Sequence, residues 1–574
     1  MDNLQLPGLG ASEGSAARED GPSRSAVRPR ASATLGSMAP RAIDLYSGVG
    51  GWALGLALAG IEVIESYEWW DEAALTHERN FGKPVTQVDI RSLDVTSLPD
   101  NLDFVVGSPP CTQFSFSNRG GNGDIADGLK DIIKFMEAVA YVQPRYWVME
   151  NVPRVAQILE KEIGRGGHLR RFRDLLSEII VVDMADFGLP QGRKRMLAGN
   201  FPADLLVSYS SNAKARTLGD VVGSLAEDPV RDPLYGLTLP RAEVTGLAIE
   251  SSLDYEETRM NRESKQYHPV YNVMQFPDEL DRPSRTVTAL CTRVSRESIV
   301  IEGDSGYRRL SLRERASLQG FPTTFQFHGK THPSNLKMVG NAVPPWMTYY
   351  VAQAMQDKRV VREPGVSRLR KALPRPARAI EVQPETARKR YSASRQFRAA
   401  IPGLRFGSGT RVELSNHASS ATPTWNTAFF FGTSKDFQEV TLDDELEEKL
   451  TALLRAAKVR MGSIHEARRS LLKWLADVDL QSLQSVWCQR SEGTHPFEVV
   501  DHLGETAFEL EAVLAEAAQA KLEDGVADLL LGGPKANGPK ARKLRLHASR
   551  ILAGLLVGCW FNGHADRQNL SLAV

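Results

Sequence analysis

Short apolar runs alternate with amphipathic stretches along the first third of the chain. Ala42 to Tyr46 reads as an apolar strand ending in a glycine-rich turn, and Leu54 to Leu58 as part of the helix behind it. Glu62 to Tyr67 predicts a second strand, and Asp71 to Phe81 a second helix. Val85 to Val88 and Phe104 to Val106 predict further strands, Ile132 to Val142 a helix, and Tyr146 to Met149 another strand. Strands alternating with helices imply βαβ units, hence an α/β fold with a parallel sheet covered on both faces. In such sheets ligands sit at the carboxyl ends of the strands.

The alternation fades over residues 201–280, which hold scattered prolines and polar loops. After Arg308 a helix carrying Arg313, Arg315 and Leu318 is expected, then a loop at Gly320–Phe321–Pro322. Val339 to Pro345 leads into a helix through Ala354. Residues 362–405 are rich in Arg and Pro and read as a basic linker. From about Leu442 the pattern is strongly helical. Leu446, Leu450, Leu453 and Leu454 are assigned to one helical face, and Phe508, Leu510, Val513 and Leu514 to another.

Composition changes this picture little. The chain has 574 residues, 42% hydrophobic and 24% charged, which suits a globular protein of two or three domains. Its formal net charge is zero, so any nucleic-acid surface has to come from local clusters of Lys and Arg. The four cysteines (Cys111, Cys291, Cys488 and Cys559) lie far apart, which argues against a disulfide framework or a zinc site. His465, His495, His502 and His564 have no metal-ligand spacing, and no metal is expected. With no secretory signal and no bilayer-length apolar run, a cytoplasmic location is expected, with no membrane partner; the run Ile551 to Trp560 is too short. Residues 1–40, rich in Gly, Ser, Ala, Pro and Arg, read as a disordered tail, and Met38 is an alternative start.

Seven motifs carry candidate chemistry. Asp44–Leu–Tyr–Ser–Gly48–Val–Gly50–Gly51 sits between a strand and a helix, where glycines allow close approach and free N–H groups meet an anionic group such as a carboxylate. Glu68–Trp69 ends the second strand. Its carboxylate suits ribose hydroxyls, and its indole suits an adenine face. Asp89–Ile90 suits the adenine amino group and ring; the competing reading of Asp89 is a helix cap. Gly107–Ser–Pro–Pro110–Cys111 holds a thiol in a proline-fixed loop, the setting of a nucleophile rather than an inert cysteine. Glu150–Asn151–Val152 ends the next strand. Gln191–Gly–Arg193–Lys–Arg195 groups three basic side chains, and Gly340–Asn341–Ala342–Val343–Pro344–Pro345 opens a helix.

In this order the motifs resemble the DNA (cytosine-5)-methyltransferase family of bacterial restriction-modification type, over residues 41–357. Arg282–Pro–Ser–Arg–Thr–Val287 and Leu312 to Phe321 match as well. The resemblance implies a Rossmann-like methyltransferase domain that moves a methyl group from S-adenosyl-L-methionine to carbon 5 of a flipped-out cytosine in double-stranded DNA. It implies that Cys111 adds to carbon 6, Glu150 holds and protonates N3, and Arg195 binds O2 with Arg193 in support. It also implies cofactor contacts from Asp44, Tyr46, Gly48, Gly50, Gly51, Glu68, Trp69, Asp89, Ile90, Pro110, Asn341, Ala342 and Val343, and a flexible loop from Phe116 to Gly128 that closes over the base. Partners implied are duplex DNA and, in function, a cognate restriction endonuclease or other defence components.

The resulting division has a tail (1–40), a catalytic domain (41–200 and 331–357) and a target-recognition region with return motifs (201–330). A basic linker (358–410) and a mainly helical C-terminal domain (411–574) follow. On this reading a chain cut after about residue 360 keeps its activity. The rival readings are an RNA cytosine-5 methyltransferase, which the absence of a Cys-Phe-Thr signature disfavours, and a non-catalytic DNA-binding regulator, which the intact Cys111, Glu150, Arg193 and Arg195 disfavour.

Overall fold

The apolar stretch Arg41–Leu45 forms strand β1, buried from Ala42 onward. Tyr46, Gly48 and Gly50 then take left-handed backbone (φ 60°, 54° and 94°), which turns the chain sharply. Helix α1 (Gly51–Ala59) starts at once. Strand β2 (Glu62–Glu68), helix α2 (Asp71–Phe81) and the short strand β3 (Thr86–Gln87) follow. Strand β4 (Phe104–Gly107), helix α3 (Ile125–Val142) and strand β5 (Tyr146–Asn151) complete the alternating part. Two more strands, β6 (Glu178–Asp183) and β7 (Lys194–Asn200), extend the sheet.

The sheet order is β3-β2-β1-β4-β5-β7-β6. Strands β1 to β5 are parallel, but β7 runs antiparallel to both β5 and β6. The sheet is therefore mixed rather than wholly parallel, which corrects the sequence reading. Reversing one strand needs only a short return instead of a crossover helix. Ile43, Leu45, Val105, Trp147 and Met149 pack with Ile132, Phe135, Met136 and Val139 of α3 on one face. On the other face α1 lies against the fully buried helix Pro345–Met355, so closely that a Cβ on Gly55 would stand 2.0 Å from Thr348 Oγ1.

The structure is a computed structural model that describes residues 39–114, 123–266, 274–374, 376–384, 391–406, 409–417, 423–433, 436–489, 491–532 and 538–571. Most of the expected N-terminal tail with Met38, part of the Phe116–Gly128 loop including Gly120 and Gly121, and the linker residues Arg388, Lys389 and Arg390 lie outside them.

The chain divides into two compact units, and the division differs from the sequence reading. Unit 1 comprises 1–248, 278–290 and 310–383; unit 2 comprises 249–277, 291–309 and 384–574. The expected recognition region is thus split between them. The expected linker is also structured at both ends. Helix Val366–Ala372 belongs to unit 1, where Leu369 is buried, and strand Arg398–Arg405 buries Ile401 and Leu404 in unit 2.

Unit 2 holds a four-stranded antiparallel sheet, Arg398–Arg405, Arg411–His417, Thr424–Thr433 and Asp436–Thr441, ahead of the helices beyond Leu442. The sheet was not foreseen; the helices beyond Leu442 were. The apolar run Ile551 to Trp560 lies inside helix Ala548–Ser571, buried on all sides as the centre of this core. Leu446, Leu450 and Leu454 are buried as expected, but Phe508 is 72% exposed while Leu510 and Leu514 are fully buried. Two residues on a helix differ by about 200°, so Phe508 and Leu510 face opposite ways. Among the described residues no single helix is long and apolar enough to cross a membrane.

Candidate active site

Cys111 follows the carboxyl end of β4 in a loop held from two sides. Trp52 Nε1 donates to Ser108 Oγ at 3.0 Å, and Asn151 Nδ2 donates to the Pro109 carbonyl at 3.0 Å. The first bond comes from α1 and the second from β5, so the elements flanking the loop fix it. Asn151 and Trp52 were not singled out as site residues from sequence. Asn151 stands inside the Glu-Asn-Val block, which was the available signal.

The antiparallel strand β7 explains the spacing of the basic residues. Glu150 of β5 pairs with Leu197 across the ladder. Side chains alternate along a strand, so Arg195 and Leu197 share a face with Glu150. Arg195 is then the diagonal neighbour of Glu150, and its Nε lies 3.0 Å from Glu150 Oε1 with both side chains largely buried. Arg193, two residues earlier, sits on the same face and is wholly buried.

Arg193 acts on the backbone. Its Nη1 donates to the Val287 carbonyl at 3.1 Å, and its Nη2 to the carbonyls of Gly340 and Ala342 at 3.3 and 3.2 Å. One guanidinium thus ties β7 to the Arg282–Val287 and Gly340–Pro345 motifs. Two buried glutamines extend the clamp. Gln191 Nε2 donates to the Leu318 carbonyl and to Gln319 Oε1, its Oε1 accepts from Val287 N–H, and Gln319 Nε2 reaches the Val339 carbonyl. Gln319 is a further residue that sequence reasoning left without a role.

Electrostatics link these groups. Burial pushes the Cys111 thiol above its ordinary range, and the neighbouring Glu150 adds to the rise, while Arg195 and Arg193 oppose it. Burial lowers the Arg193 guanidinium to about 9, with Arg195 adding to the fall. At neutral pH the thiol is therefore protonated beside an ion pair.

A second cluster lies at the ends of β1 and β2. Asp44 is fully buried, neither of its carboxylate oxygens has a hydrogen-bond partner, and burial followed by the nearby Glu68 pushes its pKa well up. Ser47 Oγ is likewise buried without a partner. Glu68 accepts from Gly48 N–H at 2.8 Å and from the Trp69 and Trp70 N–H groups at 3.0 and 2.8 Å. A carboxylate offers about four acceptor sites, so one is left over. Trp69 beside it is 67% exposed, with its indole open to a planar ligand. Gly51 touches the far motif: a Cβ there would lie 2.0 Å from the Val343 carbonyl oxygen.

Other expected positions are less engaged. Asp89 is exposed and caps the short helix Ile90–Ser92 by accepting from Arg91 N–H at 3.0 Å; Ile90 is buried. Tyr46 OH donates to the Asp131 carbonyl at 3.1 Å. Pro110 and Asn341 are exposed, while Ala342 and Val343 are buried. Cys291 belongs to unit 2, where Arg309 Nη1 reaches its sulfur at 3.5 Å.

A sequence model of C-5 cytosine-specific DNA methylases matches residues 40–357. The chain belongs to that family. It is a DNA (cytosine-5)-methyltransferase with an α/β methyltransferase fold, and its substrate is DNA. The Type II methyltransferase M.HindV of Haemophilus influenzae is 28% identical over 338 residues, covering 57% of this methylase and 100% of the relative. M.AplI of Arthrospira platensis is 30% identical over 327 residues, covering 55% of the methylase and 85% of the relative. A solved structure of a putative prophage-encoded DNA modification methyltransferase from E. coli aligns over 56% of the methylase and 99% of that chain, at 20% identity and a TM-score of 0.43. The family match ends at residue 357, so most of unit 2 lies outside it.

Proposed function

We propose that the methylase draws its methyl group from S-adenosyl-L-methionine, works on a cytosine flipped out of duplex DNA, and passes through a covalent bond from Cys111 to carbon 6. The observation that carries this reading is the grouping of the half-buried Cys111 thiol with the Arg195–Glu150 ion pair and the Arg193 guanidinium. A thiol held in a loop at the end of a strand cannot reach a base stacked inside a duplex, which favours flipping.

The chemistry needs each group. Carbon 5 of cytosine is a poor nucleophile. Cys111 loses its proton and adds to carbon 6, and the ring electrons move toward N3 and O2. The proton leaving the thiol ends on N3, where the Glu150 carboxylate accepts its hydrogen bond, and Arg195 meets the charge developing at O2. The proton given up by the thiol balances the one gained at N3, so the buried site gains no net charge. Bound S-adenosyl-L-methionine supplies an electrophilic methyl group. The proton at carbon 5 then leaves to a base, Cys111 is expelled, and 5-methylcytosine remains.

The residues at the ends of β1 and β2 fit such a donor. Two buried carboxylates, Asp44 and Glu68, suit a cationic ligand, and the exposed Trp69 indole suits its adenine. Gly48, Gly50, Gly51, Asp89, Ile90 and Val343 would complete the contacts, with Glu68 taking one ribose hydroxyl in its remaining acceptor site. Residues between the arginine motif and residue 330 would read the target sequence.

Relatives named Type II methyltransferases favour a role in protecting host DNA within a restriction-modification or phage-defence system in the cytoplasm. Transfer of label from S-adenosyl-L-methionine to duplex DNA, with bisulfite sequencing of DNA from cells expressing the protein, tests the reading. Labelled DNA with 5-methylcytosine in one sequence context is expected. Labelled tRNA with unlabelled DNA would overturn it.

A further inference from the structure

Unit 2 joins two parts of the sequence that family boundaries separate. Segments 249–277 and 291–309 lie within the family match, whereas 384–574 lie beyond it. The helix Tyr255–Gln266 is bound to the later part by specific contacts. Arg259 Nε pairs with Asp501 Oδ1 at 2.8 Å, and Tyr255 OH donates to Asp501 Oδ2 at 2.9 Å. The Arg259 guanidinium also stacks 4.5 Å over the Phe497 ring, and Tyr391 OH donates to Glu256 at 3.3 Å. Beneath the helix, Arg293 bridges Glu257 (Nε to Oε1, 2.7 Å) and Glu250 (Nη1 to Oε2, 3.3 Å), and Arg309 pairs with Glu250 as well.

We propose that the later part of unit 2 is a working half of the target-recognition element: through Tyr391, Phe497 and Asp501 it holds helix Tyr255–Gln266 in place. This rests on the reading that the inserted segments recognise DNA. Duplex DNA is the ligand this helix would meet, because the segment that carries it lies inside the methylase part of the chain. The basic run beyond it is partly compensated: Arg545 pairs with Asp524 at 3.1 Å and Arg550 with Glu511 at 2.8 Å. Arg259 and Asp501 are positioning residues, remote in sequence from every catalytic motif.

The test uses the full-length enzyme. Asp501→Arg and Arg259→Asp should each raise KM for target duplex about tenfold and narrow the preference for target over non-target sites, with kcat within about threefold of wild type. The double charge swap should restore most of the loss. Hydrogen exchange on the wild-type enzyme keeps the test open if a variant fails to fold. Target duplex should slow exchange in Tyr255–Gln266 and in the helix Pro496–Ala515, which carries Phe497 and Asp501, together. Protection of Tyr255–Gln266 with none in residues 391–571, or unchanged KM and site preference in both single variants, overturns the proposal. Absence of protection in Tyr255–Gln266 itself means that the underlying reading of the inserted segments has failed first.

Discussion

Replacing Arg193 with methionine separates the geometry of the site from the stability of the fold. The guanidinium donates to three carbonyls, at 3.1, 3.3 and 3.2 Å. Hydrogen bonds from a charged donor contribute about 1.5–3 kcal/mol each, so the gross gain is roughly 5–9 kcal/mol. Burial opposes it by drawing the guanidinium from its ordinary value down to about 9. At about 1.36 kcal/mol per pH unit that fall costs roughly 5 kcal/mol. Methionine has a similar reach and drops both terms, so stability should change by no more than about 4 kcal/mol. The site loses more. The carbonyls of Val287 and Gly340 are left without this donor, while Ala342 keeps Gln319 Nε2 at 3.4 Å. A positive charge that restrains the Cys111 pKa is lost as well. Methyl transfer to duplex DNA should fall at least about tenfold in kcat/KM, equivalent to about 1.4 kcal/mol, while the melting temperature moves by a few degrees. Arg193→Lys, measured alongside, keeps the charge but cannot fork between carbonyls, and should not restore activity. Wild-type activity in the methionine variant would refute the clamp. Full rescue by lysine would show that charge alone matters.

Four further outcomes test neighbouring parts of the argument. Cys111→Ser should keep its fold and lose methyl transfer, and DNA with 5-fluorocytosine at the target should trap a covalent adduct on Cys111 of the wild-type enzyme; an adduct mapped to Cys291 would reassign the nucleophile. Glu150→Gln removes a negative neighbour that raises the Cys111 pKa, so the pH profile of Cys111 alkylation should move toward lower pH, and an unmoved or alkaline-shifted profile contradicts the electrostatics. Trp69→Ala should weaken S-adenosyl-L-methionine binding with little change in melting temperature, whereas Gly51→Ala, which forces the Val343 carbonyl to give way, should also cost about 1–3 kcal/mol of stability; calorimetry with the cofactor and thermal melts separate the two. Glu257→Ala leaves Arg293 without its closest partner in a buried network and should cost about 3–5 kcal/mol by denaturant unfolding, so a loss below about 1 kcal/mol would show the network to be solvated.

The catalytic half was legible because its signals are local. The strand–glycine–helix step at Asp44 to Gly51, the Pro-Pro-Cys loop and the Glu-Asn-Val strand end are contiguous, and each places its side chain at a strand's carboxyl end. The relation of Arg195 to Glu150 was not local. It depends on β7 running against β5, and nothing between Gly188 and Asn200 announces that direction. Once the direction is known, the alternation Arg193, Arg195, Leu197 follows from strand geometry alone. The double role of Arg193 was out of reach for the same reason, since its acceptors lie 94 to 149 positions away. For Asp89 the bland alternative, a helix cap, was already visible in the sequence, and it is the contact the side chain makes.

The division of the expected recognition region between two units has a different cause. Periodicity finds cores made of apolar side chains, and the part of unit 2 that joins the inserted segments is made largely of charge. Glu250, Glu257, Arg293 and Arg309 are all buried, yet each reads in sequence as a solvated loop residue. Their partners lie 36 to 59 positions apart, beyond any helical or strand period. Such a network adds little net stability over an apolar core, but it tolerates loss of one member poorly, so it fixes which segments belong together. A chain ending near residue 360 would keep every catalytic motif and every member of this network. It would lose Tyr391, Phe497 and Asp501, the side chains that hold helix Tyr255–Gln266 from the other side. Motif content alone therefore does not mark where this methylase can be cut.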